Sequence, residues 1–411
     1  MKPITAISKS KSKISKPGIF LATVSLAFAP LALGPSSPAL ANSATISDPS
    51  SVCKIAVTSP TITIDATSAA ISLVGSQCVV KFLAAGSYSF TVPAGVDSLD
   101  YLVVGGGGGG GAGGGGGGGV LQGTNFAVSA GSNLDVTVGA GGAGGWGGYV
   151  GDPRVATPGG SSIFATVTAL GGGSGGQFDQ HAGDGASGGG GTWDCADISC
   201  VGHGTPGQGN DGTNSFYGGY GGAGGGGGAG SVGSNPPLYH IGGKGGDGLS
   251  SSITGTPTLY GGGGGGGINS NDDAYCGLNA PGTSDSDYFC SAEPVTTGGG
   301  AGGAGGGGRG SSWGYTNGTQ GEKANGTPGE ANTGGGGGGT DPEDSFAYAG
   351  GSGIVVMSFK PASTEEPVVF DQTEKSGLAA TGATDSPLPA VGFALLSVGL
   401  VLMRVAKRSQ R

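Results

Sequence analysis

The sequence predicts an all-β protein, a β-sandwich carrying long glycine-rich insertions packed as polyglycine II helices. Three observations carry this expectation. Short runs of β-branched and aromatic residues alternate with polar ones, as half-buried strands do. Helical periodicity is absent between the two apolar terminal segments. Glycine, 101 of 411 residues, falls in runs with a period of three.

The predicted strands, in order, are 54–57, 61–64, 78–82, 88–92, 99–104, 126–128, 134–138, 163–167 and 354–359. They bracket the glycine runs at both ends, so first and last strands enclose the insertions within one sandwich. Residues 42–86 supply its N-terminal strands and 87–361 the glycine-rich sandwich domain.

Within the insertions, pairs of glycines separate Ala140, Ala143, Trp146 and Tyr149. Tyr217, Tyr220, Ala223 and Ala229 share one register of three, as do Ile241, Lys244 and Asp247, and Ala301 and Ala304. Three residues per turn is the polyproline II period, which forms no internal hydrogen bonds. Such a segment offers two bare faces and one face for the third residue, so neighbours approach closely and exchange N–H···O=C bonds. Collagen needs abundant proline, which these runs lack. Disordered loops are the alternative, because ordering about a hundred glycines costs on the order of 100 kcal/mol.

The termini describe an itinerary. Lys2, Lys9, Lys11, Lys13 and Lys16 precede an apolar run, Gly18 to Leu33, and the small-residue site Ala39-Leu40-Ala41. That order marks residues 1–41 as a secretory signal peptide, cut by signal peptidase between Ala41 and Asn42. An uncleaved anchor is the alternative, against which stand the short run and Pro30. An acidic, proline-containing linker, 362–377, leads to Leu378-Ala379-Ala380-Thr381-Gly382. An apolar segment, 388–403, and a basic tail with Arg404, Lys407, Arg408 and Arg411 follow. The segment predicts a transmembrane helix in the precursor, its basic flank inside.

Residues 378–411 resemble the sorting signal of sortase-anchored surface proteins of Gram-positive bacteria. The Leu-Ala-x-Thr-Gly form is similar to the actinobacterial version, in which alanine stands for the usual proline. The resemblance implies cleavage between Thr381 and Gly382, transfer of the threonine carbonyl to a peptidoglycan cross-bridge amine, and a place on the cell surface. Ala379 leaves the sortase class open.

Once processed, the charge changes. The whole chain carries a formal charge of −10; residues 42–381 hold 8 Lys+Arg and 26 Asp+Glu, near −18. Such a surface disfavours nucleic acid, whose binding relies on Lys and Arg neutralising phosphates. Six cysteines in an oxidising compartment favour disulfides. Sequence proximity suggests Cys53–Cys78, Cys195–Cys200 and Cys276–Cys290 among fifteen possible pairings. A zinc site is the rival, though no C-x-x-C is present and His203 alone lies near a cysteine.

Residues from about Ser87 to Pro361 resemble the bacterial glycine-rich domain family. Tyr88-Ser89-Phe90-Thr91-Val92-Pro93-Ala94-Gly95-Val96 and Asp100-Tyr101-Leu102-Val103-Val104 running into Gly105–Gly111 carry the likeness, with Val136–Gly142 and Gly350–Val356. Similar glycine-rich regions in phage tail-fibre adhesins and the extracellular part of anaplastic lymphoma kinase form packed polyglycine II helices, in the kinase beside a jelly-roll. The resemblance thus implies a jelly-roll-like sandwich.

Catalytic signals are thin. Gly172–Gly176 and Gly185–Gly189 match the nucleophile-elbow pattern, but chance produces such matches in a glycine-rich chain, and neither joins a strand to a helix. Every G-x-G-x-x-G lacks a surrounding βαβ unit. His181, His203 and His240 have no ligand or triad partner at recognisable spacing. Asn269, Asn271 and Asp273 alternate as in a calcium loop, but Ala274 and Ala280 occupy the positions that need Gly and Glu. Asn317-Gly318-Thr319 and Asn325-Gly326-Thr327 match the glycosylation pattern.

No catalytic residue, cofactor or metal is therefore expected. Trp146, Tyr149, Tyr217 and Tyr220 are the candidate contact residues, an aromatic ridge suited to carbohydrate or protein; packing against the sandwich is their alternative role. The expected activity is adhesin-like display towards a surface, glycan or partner cell. A structural coat or spacer is the alternative, and a secreted hydrolase is disfavoured.

Overall fold

The computed structural model describes residues 43–45, 53, 55–146, 154–178, 180–193, 198–215, 221–237, 241–268, 298–316, 319–340 and 347–362. The chain divides into Met1–Ala362 and Ser363–Arg411, and all described residues belong to the first unit. Among them, regular structure is β apart from one 3₁₀ turn, Ile198–Cys200. None forms a helix long and apolar enough to cross a membrane; segment 388–403 lies outside them.

Two antiparallel sheets face each other. The first runs β1 (Ser43–Thr45), β2 (Ala56–Thr58), β5 (Gly86–Thr91), β8 (Asn133–Val138), β9 (Ser162–Phe164), β10 (Val167–Ala169). The second runs β3 (Ala69–Val74), β4 (Gln77–Phe82), β15 (Ile354–Phe359), β6 (Ser98–Val104), β7 (Val120–Ala127). Between them lies a core in which Val57, Phe90, Val136 and Phe164 of the first meet Val80, Phe82, Val103 and Met357 of the second. Each fully buried large side chain contributes roughly 1.5–3 kcal/mol. The Phe164 ring packs edge-on against Phe126 and tilted against Tyr101, with centroids 5.1 and 5.6 Å away. The Cys53–Cys78 disulfide closes one margin of this core, as proximity suggested.

The second sheet is covered on both faces, which explains the unbroken apolar run of β15. Val355, Met357 and Phe359 point into the inter-sheet core; Ile354 and Val356 join Val79, Leu102 and Tyr260 on the far side. A strand buried on both faces has no polar face to alternate with.

Several expectations need correction. Thr61–Ile64 is no strand, because the Ser59 hydroxyl accepts the Thr61 and Ile62 amides and curls the chain. The strand follows at Ala69–Val74, joined to β4 by a two-residue turn in which Gly75 takes φ 61°. Residues 163–167 form not one strand but a tight hairpin, with Ala165 at φ 49°. The strand expected at 126–128 spans 120–127, and 54–57 becomes 56–58.

The strands do not stop where glycine begins. Beyond the Val104–Val120 pair of β6–β7, the Gly105, Gly108 and Gly111 amides donate to the Gly119, Gly116 and Gly113 carbonyls, each 2.9 Å. Beyond Val104–Ile354 of β6–β15, Gly107 donates to Gly351 and Gly110 to Tyr348. Beyond Val136–Phe164 of β8–β9, Gly160 donates to Ala140, Thr157 to Ala143 and Trp146 to Arg154. The hairpins β11 (Leu249–Ser251)–β12 (Thr258–Tyr260) and β13 (Ser312–Thr316)–β14 (Thr319–Ala324) continue likewise, through Gly263 to Gly246 and Thr327 to Arg309. In every case partners stay in step while the bond spacing changes from two residues to three. β-branched residues hold the chain in the β region; without Cβ, successive amides turn a third of a rotation and reach different neighbours.

Candidate functional site

The glycine segments form a bundle in which each inner segment is surrounded. Gly105–Gly111 donates to 113–119, 157–160 and 348–351, and accepts from 142–145, 172–175 and 337–340. Gly113–Gly119 donates to 170–176, 224–227 and 334–337 and accepts from 105–111, 187–190 and Gly264. Three neighbours receive and three give, so every backbone amide in these inner segments has an acceptor. The geometry forbids side chains: a Cβ added anywhere along 105–111 would lie well inside 3.0 Å of a neighbouring carbonyl oxygen.

This corrects the picture of two bare faces and one occupied face. The uninterrupted runs 105–111 and 113–119 are inner segments, bare on all sides. The triplets with a third residue are outer segments, and Ala140, Ala143, Lys244, Ala301 and Ala304 are exposed on the rim. Ala223 and Ala229 depart from that rule. Ala223 is fully buried against Ala112 and Trp193, and Ala229 packs under Tyr260 on the outer face of the second sheet. Ala112, which interrupts the two longest central runs, puts its methyl group into the same small cluster.

Side chains seal the ends of the bundle. Buried Gln177 accepts the Ala156 amide at its Oε1 (2.6 Å) and donates its Nε2 to the carbonyls of Trp146 (2.6 Å) and Arg154 (3.0 Å). Gln208 accepts the Leu170 amide at 2.8 Å. Ser162, fully buried where sheet meets bundle, donates to the Val104 carbonyl and accepts the Gly139 amide. An amide side chain can replace a missing backbone neighbour; isolated Gln and Ser residues among glycines carry no sequence signal for this.

Of the candidate contact aromatics, Trp146 is half-buried, with the Arg154 guanidinium 5.1 Å from its ring centroid. Tyr149, Tyr217 and Tyr220 lie outside the described residues, as do Ala41, Asn42 and the motif Leu378–Gly382. Buried Cys200 is disulfide-bonded; Cys195, Cys276 and Cys290 fall outside the described residues, as do Asn269, Asn271 and Asp273.

The rim carries modest polar features. Lys244 and Asp247 pair at 2.9 Å. The Ala304 amide, then Lys244, holds the Asp247 carboxyl below its usual range. A shallow cavity of about 290 Å³ lies beside them, lined in part by Ser234, Pro237, Ile241 and Lys244. His203 Nδ1 sits 3.7 Å from an Asp211 oxygen, both exposed, while its amide donates to Asp184. His181 is exposed, and His240 lies outside the described residues. The Ser187 hydroxyl of the elbow-like stretch is buried among glycine segments with no hydrogen-bond partner among the described residues. Among them, no group of three His, Cys, Asp or Glu side chains converges to hold a metal.

Fold and rim together define a class: an antiparallel β protein whose strands run on into side-chain-free glycine segments. The profile of the glycine-rich domain family matches residues 83–314, more than half of the 411, and the chain belongs to that family. The matched span ends inside β13, so β15, central to the second sheet, lies beyond it. No curated protein matches the chain.

Proposed function

We propose that the chain is a non-enzymatic surface protein, exported and attached to the cell wall, that displays a glycine-rich body for adhesin-like contact with a surface, glycan or partner cell. The observation that carries this reading is the distribution of side chains. The inner segments 105–111 and 113–119 admit none, so outside the apolar cores and a few buried polar side chains such as Gln177 and Ser187 they face outwards along the rim. In this reading the glycine segments are packed polyglycine II helices, supported by the three-residue bond repeat. The sandwich is jelly-roll-like, supported by hairpins β3–β4 and β6–β7 lying in the sheet opposite β2, β5 and β8.

The itinerary is signal-peptide removal after Ala41, then sortase cleavage at Thr381–Gly382 with transfer to peptidoglycan; the basis is the order of motif, apolar segment and basic tail. Arrays of glycans and whole cells probed with residues 42–377 test the display reading: saturable binding is expected, and none on either array would overturn it. Thr381→Ala tests the attachment, with protein shifted from the wall fraction to membrane and medium; wall-bound variant surviving boiling detergent would refute it. A structural coat or spacer is the second reading, favoured by the small residues Ala140, Ala143, Ala301 and Ala304 on the rim.

A further inference from the structure

We propose that β15, with the glycine segment feeding it, is a shear-loaded clamp that lets the body carry tension between its C-terminal exit and the far end of the bundle. The inference rests on the attachment reading for its biological setting, though the device itself is a property of the fold.

β15 runs away from the bundle, its last residue Phe359 paired with Cys78 of β4, and the described chain ends three residues later at Ala362. β6 and β8 run the opposite way, into 105–111 and 139–146. At about 3.1 Å per residue, Trp146 lies roughly 25 Å past the end of β8. Exit and bundle tip are therefore at opposite ends of the body, and a pull between them lies along β15.

Along that axis β15 is gripped on both sides. It is in register with β4 from Val355–Phe82 to Phe359–Cys78, and with β6 from Ile354–Val104 to Ser358–Asp100. Upstream, the Ala347, Gly350 and Gly353 amides donate to the carbonyls of Gly145, Gly142 and Gly139, and Gly351 to Gly335, at 2.7–2.9 Å. The Ser358 hydroxyl donates to Gln77 at 2.6 Å. Antiparallel ladder bonds lie perpendicular to their strands. A pull along β15 consequently loads all of them at once, whereas a pull across the sheet opens them one after another from the end. All six side chains of β15 are buried, so sliding would also drag apolar groups out of two cores.

The test is single-molecule force spectroscopy on the full chain with one handle after Gly377. The second handle sits either between Trp146 and Arg154, giving axial load, or in the Gly75–Ser76 turn beside the exit, giving load across the sheet. A Cβ at Gly75 meets nothing within 4 Å, so that turn has room for a tag. If the axial tag prevents folding, the turn after Phe178, closed by the Gln177–Gln180 pair, replaces it. The expected result is an axial rupture force several-fold above the transverse one at equal pulling speed. Equal forces, or a weaker axial response, would overturn the clamp. The ratio is read without ligand or wall, so loss of the binding or attachment reading leaves it untouched, and the reverse.

Discussion

Gly115→Ala tests the inner bundle most directly. Gly115 donates to the Gly337 carbonyl at 2.9 Å and accepts from Gly264 at 2.8 Å, and its neighbour Gly116 accepts from Gly108 at 2.9 Å. A Cβ there would sit 2.7 Å from the Gly108 carbonyl carbon and closer still to its oxygen. Carbon contacts relax at about 3.5–4.0 Å, so the two segments must part by about 1 Å. With neighbours on every side, the segment cannot retreat from one without entering another. Three hydrogen bonds at about 1 kcal/mol each and overpacking of about 1–3 kcal/mol are offset by about 0.4–1 kcal/mol from the stiffer unfolded chain. The net loss is about 3–5 kcal/mol, or roughly 4–7 °C in melting temperature for a domain of this size. Ala301→Ser, on the exposed rim, is the control and should stay within about 0.5 kcal/mol. Thermal melts of residues 42–377 followed by circular dichroism read both. If Gly115→Ala melts within a degree or two of Ala301→Ser, the closed glycine interior is refuted.

Further outcomes follow from single contacts. Burial pushes the Tyr88 hydroxyl up to about 12, its OH donating to the Ala84 and Ser68 carbonyls. Because the fold favours the neutral phenol, about 3 kcal/mol of stability is fully present below the ordinary value near 10 and lost as pH rises from there to about 12. Alkaline unfolding of Tyr88→Phe should therefore be flatter across that window; an unchanged slope would count against the burial argument. Ser187→Ala removes a buried hydroxyl without a partner among the described residues and should raise stability by about 1 kcal/mol in urea titration, where a loss would reveal a hidden bond. Replacing Cys53 and Cys78 by serine opens a loop spanning a sequence separation of 25. That should cost about 3–4 kcal/mol, read as a lower urea midpoint. Trp193→Ala empties the cluster with Ala112 and Ala223 and should cost about 3–5 kcal/mol. An unaltered melt would mean that end of the bundle closes without it.

Much of the fold was legible because the residues that build it are locally distinctive. Tyr88–Val92, Leu99–Val104 and Ile354–Phe359 announce strands through β-branched and aromatic content, and the triplet Gly-Gly-Ala announces a three-residue period. Hairpins β11–β12 and β13–β14 were missed: they are the short tips of glycine hairpins, and their register is set by bundle partners. The β9–β10 turn was missed because Ala165 adopts a left-handed conformation that tertiary packing imposes. The surroundings of Trp146 were only partly legible, since a period of three places it on the outer face but says nothing of Arg154 stacking on it.

The sequence by itself determined the all-β class and the spacing of the glycine segments, and proximity suggested the pairing of Cys53 with Cys78. These depend on the chemistry of residues near one another in the chain. Only the tertiary structure decided which glycine segments are inner and which are rim, that Ala223 is buried while Ala143 is exposed, and that β15 sits between β4 and β6. Those outcomes turn on hydrogen bonds between segments up to a few hundred residues apart. Glycine, having no side chain, carries no local mark of the partner it will meet.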